Sequence, residues 1–206
     1  MEFAFVKKSP TTRLDRFRKE ARRSGFVTVR KAAALGISRK LLSNWAKAGK
    51  VQRVACGLYQ LPSEVPDEME LLARRSRKIA FSHESALYLN GLAERCPAAY
   101  SVTIPSAATL PRFGGAPLKA YYVKDDLFGV GLERRRTPTG ALVPCYNAER
   151  TICDILRSRS RVDEETIVAA LRLFATLPSK DLNRLADYAR LFRVERLVHE
   201  RLEVLL

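Results

Sequence analysis

The 206-residue chain has only two histidines, four cysteines and one tryptophan, and each scarcity excludes something. Cys56, Cys96, Cys145 and Cys153 are scattered with no Cys-x-x-Cys pair, and His83 and His199 are the only imidazoles. No zinc-type ligand spacing and no disulfide framework follow from this, so the expectation is buried free thiols and no metal site. No apolar run approaches the ~20 residues that a membrane-spanning helix needs. The opening Met1-Glu2-Phe3-Ala4-Phe5-Val6 has an acid before a short apolar patch and no small-residue cleavage site. It is a poor secretory signal, and the chain reads as cytoplasmic with no membrane partner. A P-loop, a Gly-x-Ser-x-Gly elbow and the Gly-Ser plus Asp-x-Asp pattern of nucleotidyltransferases are also missing. With two histidines, general-base chemistry has few candidates; the chain reads as a non-enzyme that needs no cofactor.

Acidic residues are scarce in one place. Residues 1–61 hold fifteen Lys+Arg against three Asp+Glu, whereas residues 62–206 hold twenty-two against nineteen. Most of the net charge of +15 therefore lies in the first third. Such an imbalance is expected of a part that meets a polyanion. Nucleic acid fits better than an anionic membrane, because no long helix has the aromatic or Leu-rich face that membrane binding requires. With 47% hydrophobic residues the chain can bury a real core.

Helical periodicity and stop signals organise the N-terminal third. Residues 12–24 predict a helix whose apolar face is Leu14, Phe17 and Ala21, closed by Gly25. Phe26-Val27 is extended. Thr28 can cap a short second helix to Leu35, and Ser38 a third running to Ala48. Leu35-Gly36-Ile37 joins these as a helix-turn-helix, with glycine permitting the sharp turn. Residues 50–61 alternate about Gly57 and predict a β-hairpin, which in that place is a wing. Pro62-Ser63-Glu64-Val65-Pro66 breaks the pattern, giving an expected winged-helix domain over 1–64 and a second domain over 65–206. The second domain predicts helices at 67–78 and 82–92 and strands at 100–104, 119–123 and 141–146. A Pro- and Gly-rich loop covers 107–118, and four helices follow from Ala148. The fold class is therefore α+β: a winged helix-turn-helix, then a mixed α/β domain with a small sheet and a C-terminal helical bundle.

The third helix carries the candidate DNA contacts. Leu41, Leu42, Trp45 and Ala46 make an inward stripe, while Lys40, Ser43, Asn44 and Lys47 share the opposite face, and Arg39 sits in the first turn. Arg39 or Lys40 can donate to guanine O6 and N7, Asn44 can pair with adenine, and Lys47 can reach phosphate. Lys50 and Arg53 on the hairpin suit phosphate or minor-groove contact. Arg30 and Lys31 are further candidates, with Arg13, Arg16, Arg22 and Arg23 as backbone contacts. Trp45 reads as core.

Three motifs carry a family resemblance. The first is Gly36-Ile37-Ser38, then Leu42, Gly49, Val51, Arg53-Val54, Gly57, Leu58-Tyr59 and Leu61-Pro62. The second is Ser82-His83-Glu84-Ser85-Ala86-Leu87 with Gly91-Leu92 and the strand Val102-Thr103-Ile104-Pro105. The third is Glu149-Arg150-Thr151-Ile152-Cys153-Asp154-Ile155-Leu156. In this order they resemble the AbiEi antitoxins of bacterial abortive-infection (type IV) toxin–antitoxin systems. The resemblance implies a repressor that binds double-stranded DNA at inverted repeats in its own promoter. It also implies a cognate nucleotidyltransferase-like toxin, opposed through the second domain. Monomer and homodimer both remain open, since inverted repeats match a two-fold but no segment demands one.

Two other functions compete. A winged helix with a nuclease-like second domain would use Asp125-Asp126 as a first acid, but no Glu-x-Lys follows. A ligand-sensing repressor would need pocket chemistry that the sequence does not display. Ser82 reads as an ordinary helix cap, and Arg150 with Asp154 as an i,i+4 ion pair on one helix.

Overall fold

The structure, a computed structural model, describes residues 11–203 and 205. The chain divides into two compact units, residues 1–66 and 67–206.

In the first unit, α1 (Arg13–Ser24) starts from a reciprocal cap. The Thr12 hydroxyl accepts from the Asp15 backbone N–H, and the Asp15 carboxylate accepts from the Thr12 backbone N–H. The short β1 (Val27–Thr28) leads into α2 (Val29–Ala34), whose cap is Thr28 through Lys31 N at 3.1 Å. Gly36 then turns the chain with φ +75°. L-residues with a Cβ rarely adopt that conformation, which is why glycine stands there. Ser38 caps α3 (Arg39–Lys47) through Leu41 N at 3.2 Å. The wing is β2 (Gln52–Ala55) and β3 (Leu58–Gln60), antiparallel with a bulge between Arg53 and Ala55. β1 pairs with the other edge of β3, giving the order β1-β3-β2. Phe17, Ala21, Val27, Ala32, Ile37, Leu42 and Val51 form one core drawn from every helix of the unit.

The second unit opens with α4 (Glu68–Ala73), capped by Asp67. This helix is shorter than the 67–78 expected, because the chain turns after Arg74 to enter β4 (Ala80–Phe81). Next come α5 (His83–Leu89), β5 (Tyr100–Pro105), β6 (Leu118–Val123) and α6 (Asp125–Phe128). Then follow β7 (Leu132–Arg136), β8 (Leu142–Tyr146) and α7 (Ala148–Arg157). The chain ends in α8 (Glu164–Thr176), α9 (Leu182–Leu191) and α10 (Glu195–Leu202). The sheet order is β6-β5-β4-β8-β7, parallel at β5/β6 and β4/β8 and antiparallel at β4/β5 and β7/β8.

Three of these elements lie outside the sequence reading: β4, α6 and β7. β7 is an edge strand of sequence Leu-Glu-Arg-Arg-Arg, charged as exposed edges commonly are, and so it shows no apolar alternation. Two apolar clusters hold the unit. One lies between α4, α5 and the sheet (Met69, Leu72, Phe81, Ala86, Val102, Ile104, Val143). The other joins α5 and α7 to the last three helices (Leu87, Ile152, Ile155, Phe174, Leu185, Val198). α5 serves both, with Ala86 in one cluster and Leu87 in the other. Of the thiols, Cys145 and Cys153 are buried as expected, and burial pushes both up to about 12. Cys56 and Cys96 are exposed, which corrects the expectation of burial.

Trp45, the one tryptophan, packs edge-on against Phe17 at 6.1 Å and so reports on the first unit alone. Phe17→Ala should cost that unit about 3–5 kcal/mol, the usual loss for a fully buried aromatic. Urea unfolding followed by Trp45 fluorescence should show the midpoint fall; an unmoved midpoint would remove Phe17 from the core.

Candidate nucleic-acid interface

The apolar stripe of α3 decides what its other face presents. Leu42 is wholly removed from solvent, and Leu41, Trp45 and Ala46 pack on the same core. Arg39, Lys40, Ser43, Asn44 and Lys47 are consequently all exposed. The first turn of α3 contains no acid, so the positive end of the helix dipole adds to Arg39 and Lys40 rather than being cancelled.

The flanks continue the pattern. Residues 25–61 contain Arg30, Lys31, Arg39, Lys40, Lys47, Lys50 and Arg53, and no acidic residue. All seven are exposed. Lys50 lies just past the end of α3, held by its N–H to the Trp45 carbonyl at 2.9 Å, while Val51 turns back into the core. Arg53 stands on β2 with its Nε 3.4 Å from the Ala55 carbonyl, beside the bulge. The start of α2 is tied to the wing turn by Val29 N to Gly57 O at 3.0 Å, so helix-turn-helix and wing form one body.

Lys31 differs from the rest. Its Nζ lies 3.7 Å from Glu20 of α1, which also holds Arg23 at 2.9 Å. Among the described residues, Arg30, Arg39, Lys40, Lys47, Lys50 and Arg53 make no ion pair, so their charge is available to an outside anion. Arg16 is placed beside the turn, its Nη1 3.9 Å from where a Cβ on Gly36 would stand.

Residues 10–62 match a protein family described as a transcriptional regulator, AbiEi antitoxin. Over this stretch the chain is similar to the AbiEi regulators. The match spans the winged helix and none of the second unit. Among solved structures, the RV2827C protein of Mycobacterium tuberculosis is similar in fold. Its TM-score is 0.60 at 17% identity, over 89% of this chain and 72% of that one. A comparison with curated proteins finds no match.

The Ser82-His83 and Arg150…Asp154 motifs of the second unit come together in space. His83 begins α5 in a left-handed conformation, φ 47°, and is buried. Its ring nitrogens lie 3.0 Å from the Ser82 hydroxyl and 3.1 Å from the Ser158 hydroxyl just past α7. Ser82 is therefore not the ordinary cap expected, since its hydroxyl faces His83 and makes no capping bond. Arg150 and Asp154 do pair, at 3.0 Å, but both are buried rather than on a helix surface. The proposed nuclease acids Asp125 and Asp126 are exposed in the first turn of α6. No group of three or more His, Cys, Asp or Glu able to hold a metal occurs among the described residues. Nor does any described helix have the length and apolarity to cross a membrane.

Lys47→Ala and Lys50→Ala should each lower the slope of log K against log salt for duplex DNA by about 1, as expected for one lost phosphate contact. Anisotropy titrations at several salt concentrations measure this, and unchanged slopes would place both lysines off the duplex. A second expectation concerns pH. Burial, reinforced by the charges of Arg150, Arg161, Arg157 and Lys119, holds the His83 imidazole well below its ordinary 6.5. The unfolded chain takes up a proton near pH 6.5 that the folded unit refuses, so stability falls as pH drops from about 7 to 5.5. Thermal unfolding by circular dichroism should show that loss, and His83→Gln should flatten it. An equally steep loss in His83→Gln would assign it elsewhere.

Proposed function

We propose that the chain is a DNA-binding antitoxin that represses its own operon and opposes a nucleotidyltransferase-like toxin encoded beside it. The observation that carries the DNA-binding part is the exposed face of α3: three cations and two amide or hydroxyl side chains, no acid, and, among the described residues, no ion pair to compete with phosphate. Arg39 and Lys40 approach the major groove at the helix N-terminus, Ser43 and Asn44 reach base edges, and Lys47, Lys50, Arg53 and Arg30 bind the backbone. Lys31 contributes less, because it shares the Glu20 carboxylate with Arg23. Repression follows physically, since a protein bound across promoter inverted repeats excludes polymerase from the same groove. The AbiEi match over residues 10–62 supports the regulator and antitoxin reading. The near-balanced charge of residues 62–206 fits a part that meets protein rather than DNA.

Footprinting on the DNA immediately upstream of the coding sequence should reveal protected inverted repeats. Two bidentate base contacts are worth about 1–3 kcal/mol each, so Arg39→Ala with Asn44→Ala should weaken protection at least tenfold. Full protection by that double variant would dismiss α3 as the reading helix.

A further inference from the structure

Between β5, β6, α5 and α7 of the second unit lies a half-open cavity of about 180 Å³. Its wall includes His83, Thr103, Tyr121, Arg150, Asp154, Arg157 and Arg161. Three buried polar atoms on that wall have no hydrogen-bond partner among the described residues: Thr103 Oγ1, Tyr121 Oη and Asp154 Oδ2. Their residues are at most 5% exposed. An unmet buried polar atom costs on the order of 1–3 kcal/mol, and three on one cavity are a preformed set of contacts for something that fills it.

The charge of the wall says what that is. Arg157 and Arg161 stand at the open side and make no ion pair among the described residues. Arg150 is inside, fully buried, and among the described residues its one ion-pair partner is Asp154. Three guanidiniums thus face one carboxylate, in a unit whose charge is otherwise almost balanced. The aromatic ring at the centre is held in place. His83 stacks on Tyr121 at 3.4 Å and 11°, and the Arg161 guanidinium carbon sits 4.1 Å from the centre of the same ring. Both distances leave no room for two groups on one face, so the histidine and the arginine clamp opposite faces. With both ring nitrogens engaged by Ser82 and Ser158, His83 is a positioning residue that aims the Tyr121 hydroxyl. Its left-handed backbone is the kind of local strain that a surrounding structure must over-determine to keep.

We infer that this cavity binds a phosphoryl oxyanion that retains a hydroxyl donor, as inorganic phosphate does. Arg157 and Arg161 take the charged oxygens, Thr103 and Tyr121 hydrogen-bond the ligand, and Asp154 Oδ2 accepts from its P–O–H. That last contact sets the specificity. Sulfate is alike in size and charge but carries no proton at neutral pH, so it would set oxygen against carboxylate. A small phosphate ester would enter only if a hydroxyl of its own reached Asp154. The site is independent of the DNA-binding reading, and it supplies the second unit with the pocket chemistry that the sequence does not display.

Isothermal titration of the full chain at pH 7 and constant ionic strength tests this, with inorganic phosphate, sulfate and glycerol 3-phosphate as titrants. Phosphate should bind one site at least tenfold more tightly than sulfate; the tighter of phosphate and glycerol 3-phosphate names the source of the group. Arg157→Gln with Arg161→Gln should weaken phosphate binding at least tenfold. These side chains are on the surface, and an unchanged circular dichroism melt would show that the variant is folded. Asp154→Asn, where it folds, should admit sulfate and narrow the gap, because an amide can donate. Arg39→Ala with Asn44→Ala should leave phosphate binding intact, separating this site from the DNA interface. Phosphate and sulfate binding equally, no phosphate heat, or binding that survives in the Arg157/Arg161 variant would overturn the assignment.

Discussion

The packing of α3, through its Leu42, into the core with Phe17 and Ile37 is the constraint from which the rest of the first unit follows. A nine-residue helix is too short to persist alone, so its orientation is set by what it buries. Leu42 at its centre and Trp45 against Phe17 leave one rotation of the helix about its axis, and that rotation turns Arg39, Lys40, Ser43, Asn44 and Lys47 to solvent. Thr28 and Ser38 start the two helices of the motif, and Gly36 gives the turn between them. The scarcity of acid nearby then lets the exposed cations act together rather than pair off.

The second unit depends in a comparable way on one buried cation. Arg150 packs its guanidinium 3.7 Å from the centre of the Phe192 ring and 4.3 Å from that of Tyr146. It bonds Asp154 and the carbonyls of Leu127 and Val130. Gly131 makes this possible: with φ +70°, a Cβ there would stand 2.8 Å from the Cβ of Arg150. One side chain therefore ties α7 to α6, to the loop after it and to the end of α9. Burying a charge so completely is costly unless its partners are satisfied, and the loss of one partner typically costs about 3–5 kcal/mol. Asp154 shows the strain of the arrangement. Burial raises its pKa despite the neighbouring Arg150, and its second oxygen faces the cavity unmet.

The helix-turn-helix was legible because its signals are local. Thr12, Thr28 and Ser38 announce helix starts within a residue, and the apolar spacing on 12–24 and 38–48 singles out the buried sides that the structure shows. The wing was legible from alternation about Gly57. In the second unit the elements with apolar periodicity were readable, and those without it were not. β7 is charged at every position after Leu132, and β4 has two residues, too few to show any period. The cavity was unreadable for a different reason. Thr103, Tyr121, His83 and Arg157 come from four elements, and only the parallel β5/β6 pairing and the packing of α5 on α7 bring them together. The residues quoted for the AbiEi resemblance did mark its inner wall, yet as sequence they look like a helix cap and an ion pair.

The proposed function requires duplex DNA to lie along α3 and the wing. Titrating the isotope-labelled chain with its operator duplex, and following backbone amide resonances, tests it most directly. The perturbations should gather on residues 38–60, strongest at Arg39, Lys40, Ser43 and Asn44, with small effects beyond Asp67. Perturbations centred on the second unit, with α3 unmoved, would contradict it.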